Sequence, residues 1–179
     1  MKFKKAIDLS KLSFETKRDI NFFIKEKFQD STEFTQSQIS KIEDIAKSLE
    51  EGYPRDYLIG NSEFYGRKYF VDQRVLIPRP ETEVLIDILK SLSLADGSIL
   101  CDLGTGSGCI GISLALLNEN FIVFGVDISE DAIGVARKNN LTYRKKNFYL
   151  IQSNWASCFQ KDSIDCIISN PPYIDKDDS

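Results

Sequence analysis

Residues Ser98–Leu117, SILCDLGTGSGCIGISLALL, place two apolar runs on either side of a glycine-rich turn. The first run, SILCDL, is short and reads as a buried strand; the second, CIGISLALL, is long enough for a helix. Glycines at 104, 106 and 108 let the chain turn sharply between them and let a ligand approach the main chain. The N-terminus of the following helix stands directly behind that turn. A strand, a glycine turn and a helix form the opening unit of a parallel α/β sheet.

The same alternation continues downstream. FIVFGVD (Phe121–Asp127) reads as a second strand, followed by a helix from about Ser129 to Asn139. NFYLIQ (Asn147–Gln152) and SIDCIIS (Ser163–Ser169) supply a third and a fourth. Upstream, Pro80 suits the first turn of a helix whose apolar face would be Val84, Leu85, Ile88, Leu89 and Leu92. Residues 55–80 are rich in aromatic and β-branched side chains around Gly66, which predicts a hairpin. The first fifty residues read as helices, with stripes at Ile20, Phe23, Ile24 and Phe28 and at Ile39, Ile42, Ile45, Ala46 and Leu49. Thr35-Gln36-Ser37-Gln38 fits a capping box opening the later helix, and Gly52 and Pro54 lie beyond its end. The expected organisation is a helical domain at 1–54, a connecting hairpin at 55–80 and an α/β part at 81–179.

Composition narrows the chemistry. The chain has 179 residues, 42% hydrophobic and 28% charged, an ordinary globular mix. It has no histidine, which excludes a Ser-His-Asp arrangement and histidine-based metal centres. Cys101, Cys109, Cys158 and Cys166 form no Cys-x-x-Cys pair; Cys101 and Cys166 lie inside apolar runs as small core residues, and no metal site is expected. A net charge of −4 argues against direct nucleic-acid binding through phosphates, and Arg144-Lys145-Lys146, the densest basic run, reads as a solvated turn. The N-terminal segment MKFKKAIDLSKLSF has no continuous apolar stretch of the signal-peptide kind, and no run is long enough to span a membrane. A reducing, cytoplasmic setting is expected.

The glycine turn has two readings. Gly106-x-Gly108-x-x-Gly111, with Asp127 ending the second strand, meets the dinucleotide pattern. The tighter spacing Gly104-x-Gly106-x-Gly108 is also present, and Asp102 precedes it by two residues. A carboxylate there would repel a pyrophosphate and suit a cationic ligand. S-adenosylmethionine carries a sulfonium, an amino-acid end and a ribose, and no phosphate. Asp127 could accept hydrogen bonds from both ribose hydroxyls, a role both cofactors require.

The fourth apolar run ends in Asn170-Pro171-Pro172-Tyr173. Asn-Pro is a common turn signal, which explains the prolines but not the amide and the phenol. Methyl transfer to a planar NH2 group explains all four. Nitrogen is a poor nucleophile there because its lone pair is delocalised. The Asn170 side-chain oxygen and a proline carbonyl could accept both N–H groups while nitrogen becomes tetrahedral, in a frame that proline stiffens without adding a donor. Tyr173 could stack on the flat substrate. Such positioning supplies on the order of 7–11 kcal/mol of a barrier. Both this loop and the glycine turn fall at the carboxyl ends of strands, where ligands gather in open α/β sheets.

The stretch SNPPY after the fourth strand resembles amino-group methyltransferases that use S-adenosylmethionine. YLIGNSEFYGRKYFVDQRVLIPRPETEVLID (Tyr57–Asp87) and CDLGTGSGCIGISLA narrow the resemblance to the HemK/PrmC family, the peptide chain release factor glutamine methyltransferases. With VDISEDAIGVARKNN and SNPPYIDKDD, the likeness covers most of residues 50–178. It implies a Rossmann-like S-adenosylmethionine-dependent sheet, a helical N-terminal domain that helps hold a protein substrate, and methylation of the glutamine amide in the Gly-Gly-Gln loop of release factors. It places Gly104, Thr105, Gly106, Ser107, Gly108 and Asp127 against the cofactor, Trp155 near its adenine, and Asn170, Pro171, Pro172 and Tyr173 around the glutamine, while Asp102 is expected at the cofactor from its charge. The family often has an acid where this chain has Asn154, whose oxygen can still accept from the adenine amino group, without charge. Members of the family continue past the tetrapeptide with further strands and helices. The sheet is therefore expected to be incomplete on that side, with its apolar fourth strand at an edge. The competing readings are a DNA or RNA exocyclic-amino methyltransferase, which would have to flip a base into the site, and a non-catalytic remnant that binds cofactor or a partner. A dinucleotide oxidoreductase is more distant.

Overall fold

In the computed structural model, which describes residues 12–29 and 33–171, the chain divides after Gly60 into two units. The first holds helices α1 (Phe14–Phe28), α2 (Gln36–Glu50) and α3 (Arg55–Ile59). Ile20 and Phe23 of α1 gather with Ile39, Ile42, Ile45 and Ala46 of α2 in one core, as their helical spacing predicts. The capping box is present: Thr35 N–H donates to Gln38 Oε1 at 2.8 Å, and Gln38 N–H donates to Thr35 Oγ1 at 3.3 Å. Residues 55–59, expected as the start of the hairpin segment, form α3 instead. Pro54 provides an extended N-cap for it, and Ile59 buries in the helical core.

The second unit opens with the hairpin β1 (Ser62–Phe64) and β2 (Arg67–Tyr69). Its two turn residues, Tyr65 and Gly66, have φ of 51° and 68°, the all-positive pattern of a tight turn that matches strand twist. A 3-10 turn at Pro80–Glu83 leads into α4 (Val84–Ser91). Then β3 (Ile99–Leu103), α5 (Cys109–Leu117), β4 (Ile122–Asp127), α6 (Glu130–Tyr143), β5 (Phe148–Gln152) and β6 (Cys166–Ser169) alternate as expected. Among the described residues these strands form a four-stranded parallel sheet of order β5-β4-β3-β6. The chain winds outward from β3 through β4 to β5, then returns to the other side of β3. That reversal, between β3 and β6, is the switch point where open α/β sheets bind ligands.

Alternate residues of the strands bury on opposite faces. Leu100, Val123, Phe148 and Ile168 join the core with α5, while Cys101, Leu103 and Val126 form a second cluster with Phe159 and Ile164. Three further elements differ from expectation. In α4 the buried pair is Ile86 and Leu89, and Val84, Ile88 and Leu92 are about half exposed. Five of the eight residues of α4 are apolar, so several stripes are open to it, and periodicity does not choose among them. Helix α6 runs one turn past Asn139, because Asn139 and Asn140 spend their amides on neighbouring segments rather than ending the helix. Strand β6 starts at Cys166 rather than Ser163; Asp165 instead accepts from Ile99 N–H through its carboxylate, at 2.7 Å. Among the described residues no helix is long and apolar enough to cross a membrane.

Candidate active site

The glycine turn is held from below. Asp102, the fourth residue of β3, is fully buried. Its Oδ2 accepts from Thr105 Oγ1 at 2.6 Å and from Gly111 N–H at 2.9 Å, while its Oδ1 has no partner among the described residues. Burial pushes its carboxyl up to about 6, the two hydrogen bonds pull back, and the charge of Asp127 adds to the rise. From above, Gly104 and Thr105 N–H both donate to Val126 O, at 2.8 and 2.9 Å.

The glycines sort by what stands beside them. A side chain added at Gly104 would meet nothing within 4 Å, so the main chain there borders open space. At Gly111 it would meet the Phe148 ring at 2.4 Å and Asp102 Oδ2 at 3.2 Å. At Gly108, whose φ is +79°, it would meet Ala136 of α6 at 3.1 Å. The dinucleotide-like spacing Gly106-x-Gly108-x-x-Gly111 therefore mixes one glycine on a cavity with two that let helices approach.

That open space is a cavity of about 350 Å³ at the carboxyl ends of the strands. Leu103, Gly104 and Gly106 line it from β3 and its turn, Asp127 from β4, Asn154 and Trp155 from the segment after β5, and Asn170 and Pro171 from the exit of β6. Asp127 Oδ2 accepts from Gly106 N–H and its Oδ1 from Ser129 N–H, both at 3.0 Å. Each carboxylate oxygen keeps a second lone pair. Trp155 presents its indole with 61% exposure. Asn170 Nδ2 donates to Thr82 Oγ1 at 3.0 Å, which orients the amide and gives Oδ1 the acceptor role. Ser169 Oγ donates to Leu103 O at 2.9 Å and ties the exit of β6 to the end of β3.

Seven of the expected site residues thus meet on one cavity: Gly104, Gly106, Asp127, Asn154, Trp155, Asn170 and Pro171. Asp102, Thr105, Ser107 and Gly108 do not line it. Asp102 lies beneath the turn as its anchor, Thr105 points its hydroxyl at that carboxylate, and Ser107 and Gly108 are packed toward α6. Pro172 and Tyr173 lie outside the described residues. Residues not anticipated also form walls. Ile128 and Ser129 follow the strand-ending acid directly, a position that could have been read from Asp127 itself. Arg74, Val75 and Leu76 form another wall, and no periodic signal marks them. Arg74 grips Asp72 with two N–H donors, at 2.9 and 2.7 Å, which holds the Asp72 carboxyl below the usual carboxylate range.

Comparison with known proteins bears on the family and the fold. The family model described as Methyltransferase small domain matches residues 80–179. A release factor glutamine methyltransferase of Streptococcus pneumoniae is 38% identical over 146 residues, covering 80% of this chain and 51% of that protein. The protein of that name from Lactococcus lactis is 40% identical over 145 residues, covering 81% and 53%, and that from Buchnera aphidicola is 34% identical over 165 residues, covering 92% and 58%. The chain thus spans about half the length of the curated relatives it matches. Among solved structures, a tRNA (uracil-54, C5)-methyltransferase of Pyrococcus abyssi superposes with a TM-score of 0.50 at 21% identity, covering 63% of this chain and 28% of that one, a likeness of fold. With a family match that takes in more than half of its residues, the chain belongs to the methyltransferase small domain family, and within it the chain is similar to these proteins named release factor glutamine methyltransferase.

Proposed function

We propose that this cavity binds S-adenosylmethionine and serves transfer of its methyl group to the side-chain amide nitrogen of the glutamine in the Gly-Gly-Gln loop of peptide chain release factors. The observation that carries the reading is the meeting of an open glycine main chain at Gly104 and Gly106, a carboxylate at Asp127 and an oriented amide at Asn170 on one cavity. The donor set fits the cofactor: Asp127 keeps lone pairs for two hydroxyls, the exposed Trp155 indole offers a flat apolar wall for a base, and Asn154 offers an amide beside it. When bound, S-adenosylmethionine supplies an electrophilic methyl group on a sulfonium. The chain does the positioning. Asn170 Oδ1 would accept one N–H of the glutamine amide and a proline carbonyl the other, so that nitrogen turns tetrahedral without losing hydrogen bonds; the methylated nitrogen, strongly acidic in that form, then sheds one of the two protons to solvent and becomes planar again. Tyr173 stacks on the amide plane. Asp102 acts from beneath, by holding the glycine turn, rather than by touching the ligand. A substrate from the translation apparatus places the protein in the cytoplasm.

Two measurements test this. Calorimetry should show binding of S-adenosylhomocysteine and none of NAD; the opposite result would overturn the cofactor. Incubation with methyl-labelled S-adenosylmethionine should label a release factor, and replacing its Gly-Gly-Gln glutamine should abolish the label. Label appearing in DNA or RNA instead would overturn the substrate.

A further inference from the structure

Asn139 is a buried amide in the interior of α6, 2% exposed. A buried amide must find partners for its oxygen and its N–H groups or cost stability. Asn139 finds them outside its own helix. Its Oδ1 accepts from Phe70 N–H at 2.7 Å, and its Nδ2 donates to Phe70 O at 2.9 Å and to Ser107 O at 2.8 Å. The first two bonds hold Phe70 from both its main-chain groups, as a neighbouring strand would. The third reaches into the glycine turn.

Both anchored segments continue into walls of the cavity. From Phe70 the chain passes through buried Val71 to the wall at Arg74–Leu76. Ser107 sits between Gly106, which lines the cavity, and Gly108, which packs against Ala136 one turn earlier in α6. Asn139 itself does not line the cavity. We infer that Asn139 is a positioning residue: it fixes the glycine turn and the 74–76 wall to the same point of α6, and so sets ligand affinity without touching the ligand. The inference rests on the cavity being the S-adenosylmethionine site.

Asn147 provides an internal control. It also uses its Nδ2 on main-chain carbonyls, those of Ala115, Asn118 and Phe121, at 3.1–3.3 Å, but it precedes β5, at the end of the sheet away from the cavity. Asn139→Ala and Asn147→Ala of the full chain should both lower the melting temperature. Only Asn139→Ala should weaken S-adenosylhomocysteine binding, by about tenfold, the scale of one lost hydrogen bond. It should also speed hydrogen exchange of the Phe70 amide and of the amides of residues 104–108, which Asn147→Ala should leave protected. Asn139→Asp keeps the acceptor for Phe70 and loses both donors, so it should weaken binding like the alanine variant, and it carries the test if that variant does not fold. Wild-type affinity in Asn139→Ala, or equal losses in both alanine variants, would overturn the inference. If the wild type itself does not respond to S-adenosylhomocysteine, the reading of the cavity falls, and the exchange data decide alone: unchanged protection of Phe70 and the glycine turn would overturn the positioning role.

Discussion

Asp102 is a carboxyl group walled off from water, with one oxygen bonded twice and the other not at all. Burial raises its folded pKa to about 6, above the ordinary carboxylate range it has in the unfolded chain. Between those two values the folded protein binds more protons than the unfolded one, so stability falls as pH rises through that window. The contribution is fully present below about pH 4 and lost above about pH 6, and amounts to at most about 3 kcal/mol. Asp102→Asn keeps an acceptor oxygen for Thr105 and Gly111 and carries no charge. Relative to wild type it should therefore melt higher at pH 8 than at pH 5; a difference that does not change with pH would show that Asp102 stays ionised throughout. Asp127 stands differently, on the cavity with lone pairs to spare. Asp127→Ala should weaken S-adenosylhomocysteine binding through two lost hydrogen bonds to a charged acceptor, about 1.5–3 kcal/mol each. An unchanged dissociation constant, with the circular dichroism spectrum intact, would remove it from the site.

At the scale of elements, the glycine turn shows which features of a sequence can be read and which wait for the fold. The strand, the turn and the helix from Ser98 to Leu117 follow from run length and composition alone, and so do Asp127 and Asn170 at strand ends. The division of labour among the glycines does not, because it depends on Phe148, a ring from β5 that wedges against both Gly111 of α5 and Gly125 of β4. The place of Asp102 waits for the fold for the same kind of reason: its charge suits a ligand, but the peptide N–H of Gly111, nine residues on, claims its carboxylate. Gly111→Ala would push a methyl group into the buried Phe148 ring, 2.4 Å away, and should cost about 1–3 kcal/mol in a urea titration. Trimming the ring in the double variant Gly111→Ala/Phe148→Leu should recover part of that. Gly104→Ala should behave oppositely: its new methyl meets no protein atom, so beyond the strain of φ +72° the loss should appear in ligand binding. Equal effects of the two substitutions on stability and binding would mean that the glycines do not divide in this way.

Over the whole molecule, the order β5-β4-β3-β6 leaves β6 paired only with β3 among the described residues. The edge position of the fourth strand is what the family resemblance implies, since members of that family continue past this point. Its two faces, however, differ in a way that the run CIIS does not reveal. Ile168 points into the core with Leu100, whereas Ile167, on the opposite face, is 54% exposed. An exposed β-branched side chain on a strand with free main-chain groups is a template for pairing with another chain. Protective devices on such edges include a charge, a proline or a bulge, and Cys166–Ser169 has none of them. Residues 1–179 should therefore associate as concentration rises, with β6 as the contact. Ile167→Lys adds a charge at the exposed position without disturbing Ile168, and an exposed substitution typically changes stability by no more than about 0.5 kcal/mol. Sedimentation velocity should then show a shift toward monomer for the variant at an unchanged melting temperature. Association that persists undiminished in Ile167→Lys would place the contact on another surface, and a wild type that remains monomeric at high concentration would show that this edge is protected.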